Sequence, residues 1–262
     1  MREWWRRWRA DRTLERRPIP EALWQLTLAR FPFLGWRGAD DLATLRELTT
    51  LFLADKEFTG TRGLVVTDEM AVAIAAQACL PALRLGLGWY AGFKGIVVHA
   101  DAVVAQREIM DEDGVVHAYE EALAGEAMQG GPVMLAWHDV DTAAESADAG
   151  YNVVIHEFVH VMDMHDGQAD GVPPLPDREA IDAWTRVLDA EYDAFCERVD
   201  RGEDTFLDPY AAEAPEEFFA VTSEMFFVAP ADLQLELPRM YTLLAGFFLQ
   251  DPMSCHEAVA RR

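Results

Sequence analysis

The sequence predicts an α+β fold, mostly helical, with a small mixed sheet and one apolar helix that carries the candidate site. Three observations point there. Apolar residues recur at helical spacing through most of the chain, a few short apolar runs read as strands, and no long linker separates them.

In chain order, residues 19–58 read mostly as helix, broken at Phe31-Pro32 and between Gly35 and Gly38. A second helical stretch covers 68–86, opening at Asp68 and interrupted at Pro81. Ile96 to Val98, Val103-Val104 and Pro132 to Val140 read as strand, with a loop or hairpin at 111–131. Asp141 to Gly150 reads as a loop. A helical pattern then runs from Tyr151 to Met164 and stops at Gly167. Three prolines make 170–177 a connector, and further helices are expected at 178–199, 215–228 and 238–249. The domain expectation is a basic arm at 1–18 followed by a single domain at 19–262.

The formal charge is −24, from 46 acidic and 22 basic side chains. Nucleic acid is therefore excluded as an expected partner, because its binding needs a cationic surface that displaces counterions. Positive charge is concentrated at the start, where seven Arg stand against Glu3, Asp11 and Glu15 within residues 1–17. With Trp4, Trp5 and Trp8 this arm is amphipathic if helical, and a packed N-terminal helix is the expected use. No apolar run approaches the roughly 18 residues of a membrane span. The start of the chain lacks the apolar core of a signal peptide. Cys79, Cys196 and Cys255 are too few and too scattered for a disulfide framework or a cysteine zinc site. The cytoplasm is the expected location.

The chemistry is carried by His156-Glu157-Phe158-Val159-His160. Residues four apart share one helix face, so His156 and His160 can direct two imidazoles at one ion. Glu157 lies about 100° around the helix, able to reach a water beside that ion without being a ligand. A zinc ion (Zn2+) needs this division of labour: the ligands acidify the water, and a carboxylate takes its proton. Val153, Val154, Ile155, Phe158 and Val159 make the segment apolar, where two His and a Glu would be costly to bury without a purpose.

A third ligand is needed. Asp163, seven residues after His156, is expected to support an imidazole rather than to bind. The metzincin pattern would put its third His at position 166 and a Gly at 163, where this chain has Asp166 and Asp163, so that pattern fails. The segment opened by Pro215 offers Glu217 and Glu224, seven apart on one helix face among Phe218, Phe219, Phe226 and Phe227, and is expected to supply a ligand and its support. Glu213 and Glu216 are expected to be exposed acids of the first turn.

Four stretches carry a family resemblance: Ala75 to Tyr90 (AAQACLPALRLGLGWY), Gly125 to Trp137 (GEAMQGGPVMLAW), Asn152 to Asp163 (NVVIHEFVHVMD) and Tyr210 to Phe227 (YAAEAPEEFFAVTSEMFF). Together they resemble the Mlc titration factor A family of bacterial zinc metallopeptidases, related in active site to lethal-factor-type zinc proteases, over about residues 20–255. The chain departs from that pattern at His99-Ala100, where a Tyr-Pro pair is expected. The resemblance implies a zincin-like catalytic domain with His156, His160 and Glu217 as zinc ligands and Glu157 as general base. It further implies that Tyr210 hydrogen-bonds the oxyanion and that His117 can approach the metal as a resting-state ligand. Aminopeptidase-like cleavage of short peptides follows as an expectation, with Pro132 to Trp137 expected at a sheet edge where a peptide substrate pairs. A second expected role is capture of a transcriptional repressor of the Mlc type, which controls sugar-uptake genes.

Overall fold

The structure is a computed structural model that describes residues 10–110, 116–143 and 150–255, with backbone alone described for the strands between 103 and 123. Residues 1–9, half of the basic arm, therefore lie outside the described residues, and of its described half 10–16 is helical (α1).

Helices α2 (Glu21–Arg30) and α3 (Ala39–Asp55) are separated by a 3-10 turn at Pro32–Trp36, the break that proline and glycine predict. The expected helix to residue 58 ends early, and Glu57–Gly60 forms strand β1. Lys56 explains the change. Its backbone turns extended, and its buried ammonium donates to the carbonyls of Tyr90 (2.5 Å) and Phe93 (2.8 Å), drawing the chain against the sheet. Helix α4 (Asp68–Cys79) is capped by the Thr67 hydroxyl, which accepts from the Met70 N–H, and it stops before Pro81.

Strands β1, β2 (Gly95–His99), β5 (Gly125–Ala127) and β6 (Val133–Ala136) form one sheet in the order β1-β2-β6-β5. The first two pairings are parallel and β5 is antiparallel to β6. Strands β3 (Val103–Met110) and β4 (Val116–Leu123) make a separate antiparallel hairpin. Two expectations are corrected here. The hairpin expected at 111–131 is there as β4 returning on β3, with β5 after it, but the strand expected at 132–140 ends at Ala136, where α5 (Trp137–Thr142) begins. More important for the site, β6 is an interior strand with Val133, Leu135 and Ala136 buried, as its continuous apolar run suits. The edge beside the site is β5.

Helix α6 (Val153–Asp163) carries the His-Glu-His segment and packs between β5, α4 and α8 (Pro215–Val228). Helix α8 is buried continuously from Phe218 to Val228 and forms the centre of the core. Phe218 and Phe219 meet Phe195 and Trp184 of α7 (Arg178–Asp200), while Phe226 and Phe227 meet Phe248 of α10 (Pro238–Phe248). Each such ring stabilises the fold by about 2–3 kcal/mol on burial, enough to hold carboxylates on the same helix in fixed positions. A short helix α9 (Pro230–Glu236), unexpected from the sequence, sits between Pro230 and Pro238, each at a helix start. Among the described residues, no helix is long and apolar enough to cross a membrane.

Candidate metal centre

Asn152 begins the site. Its side-chain oxygen accepts from the Ile155 N–H (2.9 Å), capping α6, and its amide donates to Gln77 Oε1 (2.8 Å) of α4. Its backbone N–H donates to Glu224 Oε2 on α8. Asn152, Gln77 and Glu224 are all buried, so one polar chain ties three helices together beneath the site.

Above it, α6 and α8 bring His156, His160 and Glu217 together, with donor atoms within 4.8 Å of one another. Glu217 Oε2 lies 3.1 Å from His156 Nε2 and 3.3 Å from His160 Nε2, and the two Nε2 atoms are 3.1 Å apart. Ligands at about 2.0–2.1 Å from a tetrahedral zinc ion stand about 3.3 Å from each other, so the triangle has the dimensions such an ion requires. Two imidazole nitrogens facing each other at this range satisfy one another poorly, whereas a shared cation satisfies all three groups.

Glu224 supports this arrangement from behind. Its Oε1 lies 2.8 Å from His156 Nδ1, which fixes the ring and leaves Nε2 for the metal side. The other expected support is corrected: Asp163 is buried, but its Oδ2 accepts from the Gly171 N–H (2.9 Å) and it makes no hydrogen bond to either imidazole. Asp163 thus anchors the connector after α6 instead. Gly171 has a φ of 76°, and a side chain there would press on the Pro215 carbonyl at the start of α8.

Electrostatics reflects the crowding. Burial alone would lower the His156 pKa, but Glu217 and Glu224 overturn that and raise it well above the usual imidazole value. Burial would likewise raise Glu217, yet hydrogen bonds to His156 and His160 hold it far below the usual carboxylate range. The carboxylates thus favour a proton on His156, and a dication bound here would compete with it.

Glu157 is buried on the β5 side of α6, and burial pushes its pKa up to about 7 against the pull of both histidines. Its position depends on Gly125 in β5, where an added Cβ would lie 2.6 Å from Glu157 Cγ and 2.7 Å from Cδ. Gly125→Ala is expected to displace the carboxylate and lower kcat about 100-fold, with metal stoichiometry unchanged. Paired kinetic and metal measurements check this.

His156, Glu157 and Glu224 share the wall of a cavity of about 280 Å³ with Tyr151 and Tyr210. Tyr210 sits on the 3-10 turn Pro209–Ala212, held by a bond from its N–H to Asp208 (2.9 Å), and its ring centre is 6.2 Å from that of His156. Gly150, at a φ of 76°, passes so close to the Met225 sulfur that any side chain would overlap it. Glu213 is exposed and Glu216 half-buried at the start of α8. His117 falls on β4, opposite Ile109, and its side chain lies outside the described residues. Sequence reading missed Gly125 and Gln77. A lone amide inside the alanine-rich α4 was a signal for Gln77, whereas Gly125 gave none.

A model of the glucose-regulated metallo-peptidase M90 family matches residues 4–249. The chain belongs to this family. Among relatives of the M90 chain is the Mlc titration factor A of Edwardsiella ictaluri (strain 93-146), 38% identical over 239 residues that cover 90% of this chain and 88% of the relative. An uncharacterized protein of Synechocystis sp. is 36% identical over 252 residues, covering 95% and 90%. The Mlc titration factor A of Serratia proteamaculans (strain 568) is 36% identical over 236 residues, covering 89% and 88%. The sequence-level resemblance to the titration factor family is thereby borne out.

Proposed function

We propose that this M90 protein is a zinc-dependent peptidase that cleaves short peptides in the manner of an aminopeptidase. The observation that carries the reading is the His156–His160–Glu217 triangle with Glu157 buried beside it. A zinc ion held by those three groups would acidify water and polarise a carbonyl. Glu157 takes a proton from the attacking water and returns it to the leaving amine, a role that its position in the cavity wall beside the three metal-facing groups supports. The Tyr210 hydroxyl donates to the oxyanion from across the cavity. Glu224 keeps the His156 ring oriented throughout.

Removing metal with a chelator should abolish peptide hydrolysis, and zinc should restore it. Because the neighbouring carboxylates raise the His156 pKa above the usual imidazole value, and metal binding must release that proton, zinc affinity should strengthen as pH rises and weaken as it falls. Zinc titration at several pH values checks the sign; restoration by no metal at any pH would remove the reading.

Within this reading His117 acts as a resting-state ligand that occupies the water's place. His117→Ala should then keep or raise activity, and complete loss of hydrolysis with zinc still bound would refute that role. The name Mlc titration factor A of several relatives supports a second activity, capture of a sugar-uptake repressor. Binding of such a repressor by zinc-free protein would separate capture from hydrolysis.

A further inference from the structure

The cavity of about 280 Å³ beside the metal-facing groups has walls of two kinds. Val153, Leu207, Val221 and Met225, all buried residues, give it apolar sides. Apart from His156, the ionisable groups on its wall are acidic: the buried Glu157 and Glu224, the exposed Asp208, and the hydroxyls of Tyr151 and Tyr210. Among the described residues no Lys or Arg lines it. Glu224 is engaged by the Asn152 N–H and by His156 Nδ1. Asp208 is placed differently. Its Oδ1 accepts from the Tyr210 N–H (2.9 Å) and so caps the 3-10 turn, and among the described residues no basic side chain pairs with it. The basic side chains that precede it in the chain, Arg198 and Arg201, are taken by Glu197 and Glu203. The field of these acids reaches across the cavity: burial first, and then the charges of Asp139, Glu224, Glu157 and Asp208, push the Tyr151 hydroxyl pKa up.

We propose that this cavity selects a lysine or arginine side chain on the residue adjoining the scissile bond, with Asp208 as the group that meets its charge. The proposal rests on the peptidase reading above and assigns that site a side-chain preference. Lysine and arginine are apolar along the stem and charged at the tip. The stem matches the apolar walls, and the tip comes to the solvent side, where Asp208 has a carboxylate oxygen beyond the one bonded to Tyr210. Because Asp208 is exposed, neither charge has to be stripped of its water, which keeps the desolvation cost small. A norleucine side chain gains the same apolar contact without the ion pair, so the two differ by the charge alone. A glutamate side chain would face Glu157, Glu224 and Asp208 together and is disfavoured. Asp208 also fixes the turn that carries Tyr210, so one short segment sets both the charge of the cavity and the place of that hydroxyl.

The test uses the zinc-loaded full chain and tripeptides with a free amino group. Lysine, norleucine or glutamate stands either just before or just after the first peptide bond, and alanine fills the other positions. In one of these series kcat/KM for lysine should exceed that for norleucine about fivefold, within reach of one ion pair at an exposed rim, with glutamate slowest. Added salt should erode the lysine advantage. Asp208→Asn keeps an oxygen for the Tyr210 N–H and loses the charge, so the lysine-to-norleucine ratio should fall to about one whatever the overall rate does. Binding of the same peptides to zinc-loaded Glu157→Gln protein, followed by calorimetry, should show the same preference without turnover, and adding Asp208→Asn should remove it. No lysine advantage in either series overturns the proposal and spares the peptidase reading. A lysine advantage that Asp208→Asn leaves unchanged also overturns it. Inactivity toward every tripeptide with zinc bound overturns the peptidase reading and this proposal with it.

Discussion

Glu157→Gln should reduce peptide hydrolysis by about 10²–10⁴-fold while the protein keeps its zinc, since the substitution removes the proton acceptor and leaves the three metal-facing groups in place. The amide is isosteric, so the close approach of Gly125 is preserved and the fold has no cause to relax. A buried carboxylate near two imidazoles is also replaced by a neutral group, so the melting temperature should hold or rise slightly. Retained turnover in a zinc-loaded Gln variant would show that proton transfer runs through another group.

Glu217→Ala should act by a different route, with zinc affinity falling at least about 100-fold and activity lost with the metal. Its effect on the histidines provides an independent readout. Glu217 is a principal cause of the raised His156 pKa, so the metal-free variant should titrate His156 at lower pH than the parent, measurable by NMR. Unchanged zinc stoichiometry and affinity in Glu217→Ala would send the search for a third ligand elsewhere, with His117 first in line. The two substitutions together separate chemistry from metal retention, which a chelator alone cannot do.

Much of the helical scaffold was legible in the sequence because periodicity and helix stops are local signals. Pro215 marks the start of α8, Asn152 precedes the apolar run of α6, and Glu217 and Glu224 share a face by spacing alone. Which of the two faces the metal is a tertiary matter, which the family resemblance supplied and the packing of α6 on α8 agrees with. The misreadings share a cause as well. Strand β1 depends on Lys56 finding carbonyls of Tyr90 and Phe93, more than thirty residues away. Strand β6 was expected at an edge because an apolar run does not announce its neighbours, and β5, three residues long and opening on a glycine, has almost no strand signal. Asp163 lies on the expected helix face, but the Gly171 amide claims it first.

The shortness of β5 has a further consequence for how the protein behaves in a crowded solution. Among the described residues the outer edge of β5 has no strand partner, an edge that could pair with the same edge of another copy, and long open edges lead to aggregation. Three residues offer too few ladder bonds to hold two folded copies together by the backbone alone. The strong negative charge of the chain adds mutual repulsion between copies. Such an edge favours short-lived contacts between copies over permanent ones.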